Sequence, residues 1–160
     1  MKIPNNLQNR PAILLFRGKG LMSALIRWQT RSKYSHAALL TREGTVIEAW
    51  QFAGVREIEL KSWEGVDAFD VEGLFNKDWD NVIDFARSKI GCKYDWLAIA
   101  RFISRRSGIR NDRWFCSELV FAAFLRSGIR LLARIPMWKV HPGMLSYPPV
   151  LTKIPTNSSF

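Results

Sequence analysis

Trp114-Phe115-Cys116-Ser117-Glu118-Leu119-Val120 opens an apolar run that continues to Arg126 and stops before Gly128. The spacing predicts a helix over 117–126 with Cys116 at its start. The N-terminal end of a helix dipole is positive and favours the anionic form of a thiol placed there. A thiolate nucleophile needs a basic partner, and the chain holds two histidines, His36 and His141. His36 opens the apolar run Ala37-Ala38-Leu39-Leu40, which reads as a strand, whereas His141 precedes Pro142-Gly143 and reads as a loop or helix-entry residue. Cysteine at a helix start and histidine on a sheet together point to nucleophilic chemistry by a thiol–imidazole pair.

Residues 36–41 and 45–50 read as the two strands of a hairpin closed by Arg42-Glu43-Gly44. A three-residue loop that ends in glycine places that glycine in the left-handed conformation. This register pairs residue 41 with 45, 38 with 48 and 36 with 50. His36 and Glu48 then share a face and lie diagonally across the pair, about 7 Å apart at the backbone. A loop one residue shorter would put them on opposite faces. Glu48 sits between Ile47 and Ala49-Trp50, a setting in which an unpaired carboxylate is costly. Glu48 is therefore the candidate for orienting the His36 ring. Tyr94, in Gly91-Cys92-Lys93-Tyr94-Asp95-Trp96, is a candidate hydrogen-bond donor to a developing oxyanion, although its spacing alone favours a partly buried aromatic.

The remaining pattern predicts strands at 13–16, 55–60, 67–71 and 150–154, and helices at 21–28, 78–90 and 95–106. Strands gathered early and helices gathered late define an α+β fold. One domain is expected over 11–154, with residues 1–10 and 155–160 as loose termini.

The chain has 160 residues, enough for one core, and carries 24 basic against 14 acidic residues, a net charge of +10. Such a balance suits an anionic partner. No helix-turn-helix, zinc or RNA-binding signature is present, so no specific nucleic acid is expected. The two cysteines, Cys92 and Cys116, form neither a disulfide framework nor a metal-ligand spacing, and no metal or cofactor is expected. The N-terminus lacks a secretory pattern and no apolar run is long enough to span a bilayer, which predicts a cytoplasmic protein. That expectation is compatible with release by lysis or dedicated export.

Tyr34-Ser35-His36, then Val46-Ile47-Glu48-Ala49-Trp50, then Cys116-Ser117-Glu118-Leu119-Val120 is an order that resembles a known family. It is similar to the circularly permuted branch of the NlpC-like, papain-fold cysteine hydrolases, the YiiX-like group, in which the histidine strand precedes the cysteine helix. Gly91 to Trp96, Ile13 to Phe16 and His141 to Leu145 also match the family's Gly-x-x-Tyr segment, opening strand and closing proline turn. The resemblance covers residues 11–154. It implies a papain-like antiparallel sheet packed against helices, with Cys116 as nucleophile, His36 as base, Glu48 as orienting residue and Tyr94 as an oxyanion or substrate contact. The implied activity is cleavage of an amide, in a small peptide or peptidoglycan fragment. An anionic lipid is the alternative substrate, suited to the basic stretch Arg17 to Lys33 and the arginines between 101 and 113. A non-catalytic binding module is disfavoured by the presence of cysteine, histidine and glutamate together. Two departures stand out: Pro11-Ala12 replaces the family's Gly-Asp before the first strand, and residues 101–113 are unusually basic for a small hydrolase.

Overall fold

Two apolar runs, Ala12–Phe16 (β1) and His36–Leu40 (β2), lack the alternation of a half-exposed strand because both of their faces are buried. The computed structural model describes residues 3–96 and 113–156. In it, β1 and β2 lie at the centre of a six-stranded sheet. The others are Thr45–Trp50 (β3), Gly54–Glu59 (β4), Val66–Val71 (β5) and Leu151–Ile154 (β8). Their order is β4-β3-β2-β1-β5-β8, and every neighbouring pair is antiparallel. The structure thus has the α+β architecture expected from the sequence.

One face of the sheet carries Ile13, Leu15, Ala37, Leu39, Ile47 and Ala49. Against it pack the helices Asn76–Arg87 (α2) and Cys116–Arg126 (α3). Trp79 of α2 meets Phe124 of α3 edge-on, with ring centroids 5.3 Å apart. All of α3 from Cys116 to Phe124 is buried, so the helix runs through the interior with no solvent-facing stripe along those residues. The opposite face carries Leu14, Ala38, Leu40, Val46 and Ala68, covered by Leu7, Trp63 and Ile154.

That second layer includes described parts of the segments expected as loose termini. Asn5–Leu7 forms a 3-10 turn whose Leu7 is fully buried, and Asn6 donates to the Pro155 carbonyl. Thr156 donates to the Val66 carbonyl at 2.9 Å. A sheet with two apolar faces needs a cover on each, and the terminal segments supply part of one. Helix α2 begins two residues before its expected start, because Asp78 accepts from the Phe75 N–H at 3.0 Å and so sets the cap there. The expected helix over 95–106 lies outside the described residues.

The hairpin register is the expected one: Leu39 pairs with Ile47 and Leu40 with Val46, and the Thr41 N–H bonds the Thr45 carbonyl at 2.9 Å. Gly44 has φ +86°, the left-handed geometry the loop requires. Gly54, at φ +71°, serves a different purpose. A Cβ there would stand 2.1 Å from the Cys92 carbonyl oxygen. Its absence lets residues 91–94 lie along β4, where the Val55 N–H bonds the Cys92 carbonyl at 2.9 Å. From there Lys93–Tyr94 (β6) pairs in parallel with Arg113–Trp114 (β7), a short ladder that leads into α3.

Candidate active site

Cys116 is the first residue of α3 and is buried. Phe115, at the N-cap, is extended with φ −88° and ψ 152° and its ring lies in the core. Phenylalanine has no oxygen to cap the helix, so the cap is made from the other side: Glu118 accepts from the Phe115 N–H at 3.4 Å. Ser117 donates to the Val140 carbonyl at 2.6 Å and ties the helix start to the chain before the closing 3-10 turn. The first amides of the helix, at Cys116 and Ser117, have no carbonyl partner within the helix.

His36 is the first residue of β2, and that position matters. Alternation along β2 and β3 puts His36 and Glu48 on the face that carries Ala38 and Val46. Helix α3 packs on the other face. A side chain at the tip of the strand can serve both. His36 Nε2 lies 2.7 Å from Glu48 Oε2, and Cys116 is near enough to raise the pKa of the same ring. With Nε2 committed to Glu48, Nδ1 is the nitrogen left for the thiol. Phe16 and Trp50 flank the imidazole at centroid distances of 5.2 and 5.4 Å, leaving 14% of the side chain exposed.

Burial opposes the charged imidazolium, but the Cys116 sulfur, followed by Glu48, more than offsets it and raises the His36 pKa to about 10. Glu48 is subject to the same contest. Burial raises its pKa, while His36 and Arg56 together hold it below the usual carboxylate range. Glu48 is therefore an anion at neutral pH and an acceptor for the ring.

Arg56 is the member of this constellation that sequence reasoning missed. Its Nε and Nη2 reach Glu48 Oε1 at 2.9 and 2.6 Å, and its guanidinium lies 5.0 Å from the Trp50 ring centroid. Glu48 and Arg56 are direct cross-strand partners in the β3–β4 pair. Reading Gln51-Phe52-Ala53 as a second hairpin loop before Gly54 would have found the pair. The result is a chain of ionic contacts from the imidazole through the carboxylate to the guanidinium, beside the thiol.

Tyr94 packs at 5.9 Å from the Phe115 ring and 5.3 Å from Trp96. Burial, and then the nearby Cys116 and Glu118, push its pKa well above the ordinary tyrosine value, so it remains a neutral phenol. Of the four expected residues, His36 and Glu48 are in direct contact, and Tyr94 packs on Phe115, the residue that precedes Cys116. Cys92, partly exposed, and Cys116 are both free thiols.

The donor set does not fit a metal ion. Among the described residues no three His, Cys, Asp or Glu side chains converge to hold one. Both Glu48 oxygens are engaged, one by the His36 ring and the other by a guanidinium.

The fold and the site together define an α+β protein whose antiparallel sheet packs against helices and carries a Cys–His–Glu cluster. No protein-family model matches the chain, and no curated protein does. Among solved structures it shares its fold with YiiX from Escherichia coli O157:H7, a metalloprotein described as DUF1105. The match has a TM-score of 0.71 at 21% identity and covers 91% of this chain and 96% of that one. No helix among the described residues is long and apolar enough to cross a membrane.

Proposed function

We propose that this chain is a cysteine hydrolase of the permuted papain-like type, transferring an acyl group to water through a thioester. The observation that carries the reading is the His36 imidazole held at 2.7 Å by Glu48, with Cys116 at the start of a buried helix close enough to raise that ring's pKa. In the first step Cys116 Sγ attacks the substrate carbonyl carbon, with its proton held on His36 Nδ1. The carbonyl oxygen becomes an oxyanion, to which the unpaired amide of Cys116 and the Tyr94 hydroxyl are the available donors. His36 passes its proton to the leaving nitrogen or oxygen as that bond breaks, which leaves the thioester. Water then attacks the thioester, giving its proton to His36, and the thiol is released. Glu48, fixed by Arg56, keeps the ring aimed and stabilises the imidazolium, and takes no proton itself.

The substrate class favoured by the family resemblance is the amide bond of a short peptide, such as a peptidoglycan stem peptide. An acyl ester of an anionic lipid is the second reading, favoured by the exposed apolar side chains of the helix Leu21–Thr30, which borders the groove lined by His36. Incubation of the wild type with muropeptides and with lipid esters, each against Cys116→Ala, tests the proposal. Cleavage by the wild type alone is the expected result. Equal rates for the two proteins, or an inert wild type on both substrate classes, would overturn it.

A further inference from the structure

Helix Leu21–Thr30 (α1) is amphipathic in the unusual sense that an apolar stripe faces outward. Ile26 is its one buried residue. Leu21 is 93% exposed, Leu25 39% and Trp28 77%. These residues are spaced i, i+4, i+7, so they form one stripe along the helix. Nothing in the described structure packs over Leu21 or Trp28, and leaving such side chains in water costs free energy at both positions.

The surroundings of the stripe are basic. Arg17 and Lys19 precede α1, Arg27 lies in its last turn, and Arg31 and Lys33 follow it. Lys19 pairs with Glu64 at 2.5 Å, and Arg17 and Lys33 share Asp67 at 3.5 and 3.9 Å. Arg27 donates to the Gly18 carbonyl, and Arg31 has no ion pair among the described residues. Five cations against two carboxylates leave the stripe in a positive field, in keeping with the net charge of +10. Ser23 of α1 lines the same groove as Phe16, His36 and Trp50.

We propose that α1 is an interfacial docking element, which seats the protein on an anionic lipid bilayer with Leu21, Leu25 and Trp28 in the headgroup–acyl boundary. A soluble polyanion would satisfy the cations but offers nothing to two leucines. A bilayer offers an anionic surface and an apolar layer within one side-chain length of each other, which matches a stripe flanked by cations. Docking in this way brings the groove beside His36 to the lipid surface. The proposal does not depend on thiol chemistry, because binding requires no turnover.

The test is co-sedimentation of the full chain with vesicles of phosphatidylcholine alone or with about a third phosphatidylglycerol, at low and high salt. It is run on the wild type, Cys116→Ala, Leu21→Ser/Trp28→Ser and Arg31→Ser. The wild type and Cys116→Ala are expected to bind the anionic vesicles alike and to release them at high salt. Leu21→Ser/Trp28→Ser should weaken binding at least about thirtyfold, from the apolar surface no longer buried. Its thermal midpoint should be unchanged, since neither side chain contributes to the core. Arg31→Ser should weaken binding about fivefold. Three results would overturn the proposal: no binding to anionic vesicles, binding indifferent to the double substitution, or heparin binding with the same dependence on Leu21 and Trp28. So would a concentration-dependent dimer that the double substitution abolishes, because a second copy would then be what covers the stripe.

Discussion

Removing the thiol with Cys116→Ala should release the His36 ring from the group that raises its pKa most. In the wild type, burial lowers the His36 pKa, while Cys116 first and Glu48 second raise it, with a net result of about 10 against an ordinary 6.5. A rise of that size corresponds to at most about 5 kcal/mol of preference for the imidazolium. Because Cys116 is the larger of the two supports, Cys116→Ala should lower the value further than Glu48→Gln does. The assay is a proton–carbon NMR titration of the two imidazoles, with His36 assigned by difference in His141→Gln. The His141 signal is separable, since burial lowers its pKa below 6.5. The stability consequence has a definite sign. A folded-state pKa raised above the unfolded value adds stability that is complete below pH 6.5 and is lost as the pH climbs through about 10. The stability gap between the wild type and Cys116→Ala should therefore shrink across that window. His36 titrating near 6.5 in the wild type would refute the reasoning, as would Glu48→Gln moving it further than Cys116→Ala.

Arg56→Gln removes the two charge-assisted hydrogen bonds to Glu48, at a side chain 34% exposed, and is expected to lower kcat about tenfold with KM little changed. Arg56→Lys should recover only part of that loss, because a lysine cannot make the forked contact; full recovery in steady-state assays would count against an orienting role. Tyr94→Phe keeps the ring packing against Phe115 and removes the hydroxyl, so kcat should fall without loss of thermal stability. A fall in both would mark Tyr94 as structural. Buried Asp67 accepts from Tyr34 at 2.7 Å and meets Lys153 at 3.0 Å, and these partners, with Arg17, hold its carboxyl below the usual range against the effect of burial. Asp67→Asn should cost about 2–3 kcal/mol in urea unfolding at pH 7. The lowered pKa means this contribution is present above about pH 4 and is lost on acidification, so the two proteins should converge at lower pH.

What could be read without tertiary information were the features set by near neighbours along the chain. Gly44 at the end of a three-residue loop fixes the hairpin register, and the register alone puts His36 and Glu48 on one face. The run after Cys116 makes a helix, and its first residue is the cysteine. Both follow from backbone conformations decided within a few residues. Four other features depend on contacts between distant segments. The strand order β4-β3-β2-β1-β5-β8 comes from sheet assembly. The influence of Cys116 on the His36 ring joins residues eighty positions apart, brought near each other only by the packing of the helix on the sheet. Leu7 is buried because the second sheet face needs a cover, although its local sequence reads as a loose arm. The clearest divide lies in α1. Periodicity in 21–28 shows that an apolar stripe exists, but only packing decides whether such a stripe faces the core. Here Ile26 turns inward while Leu21 and Trp28 face out, because the core-side cover of the sheet is already supplied by α2 and α3.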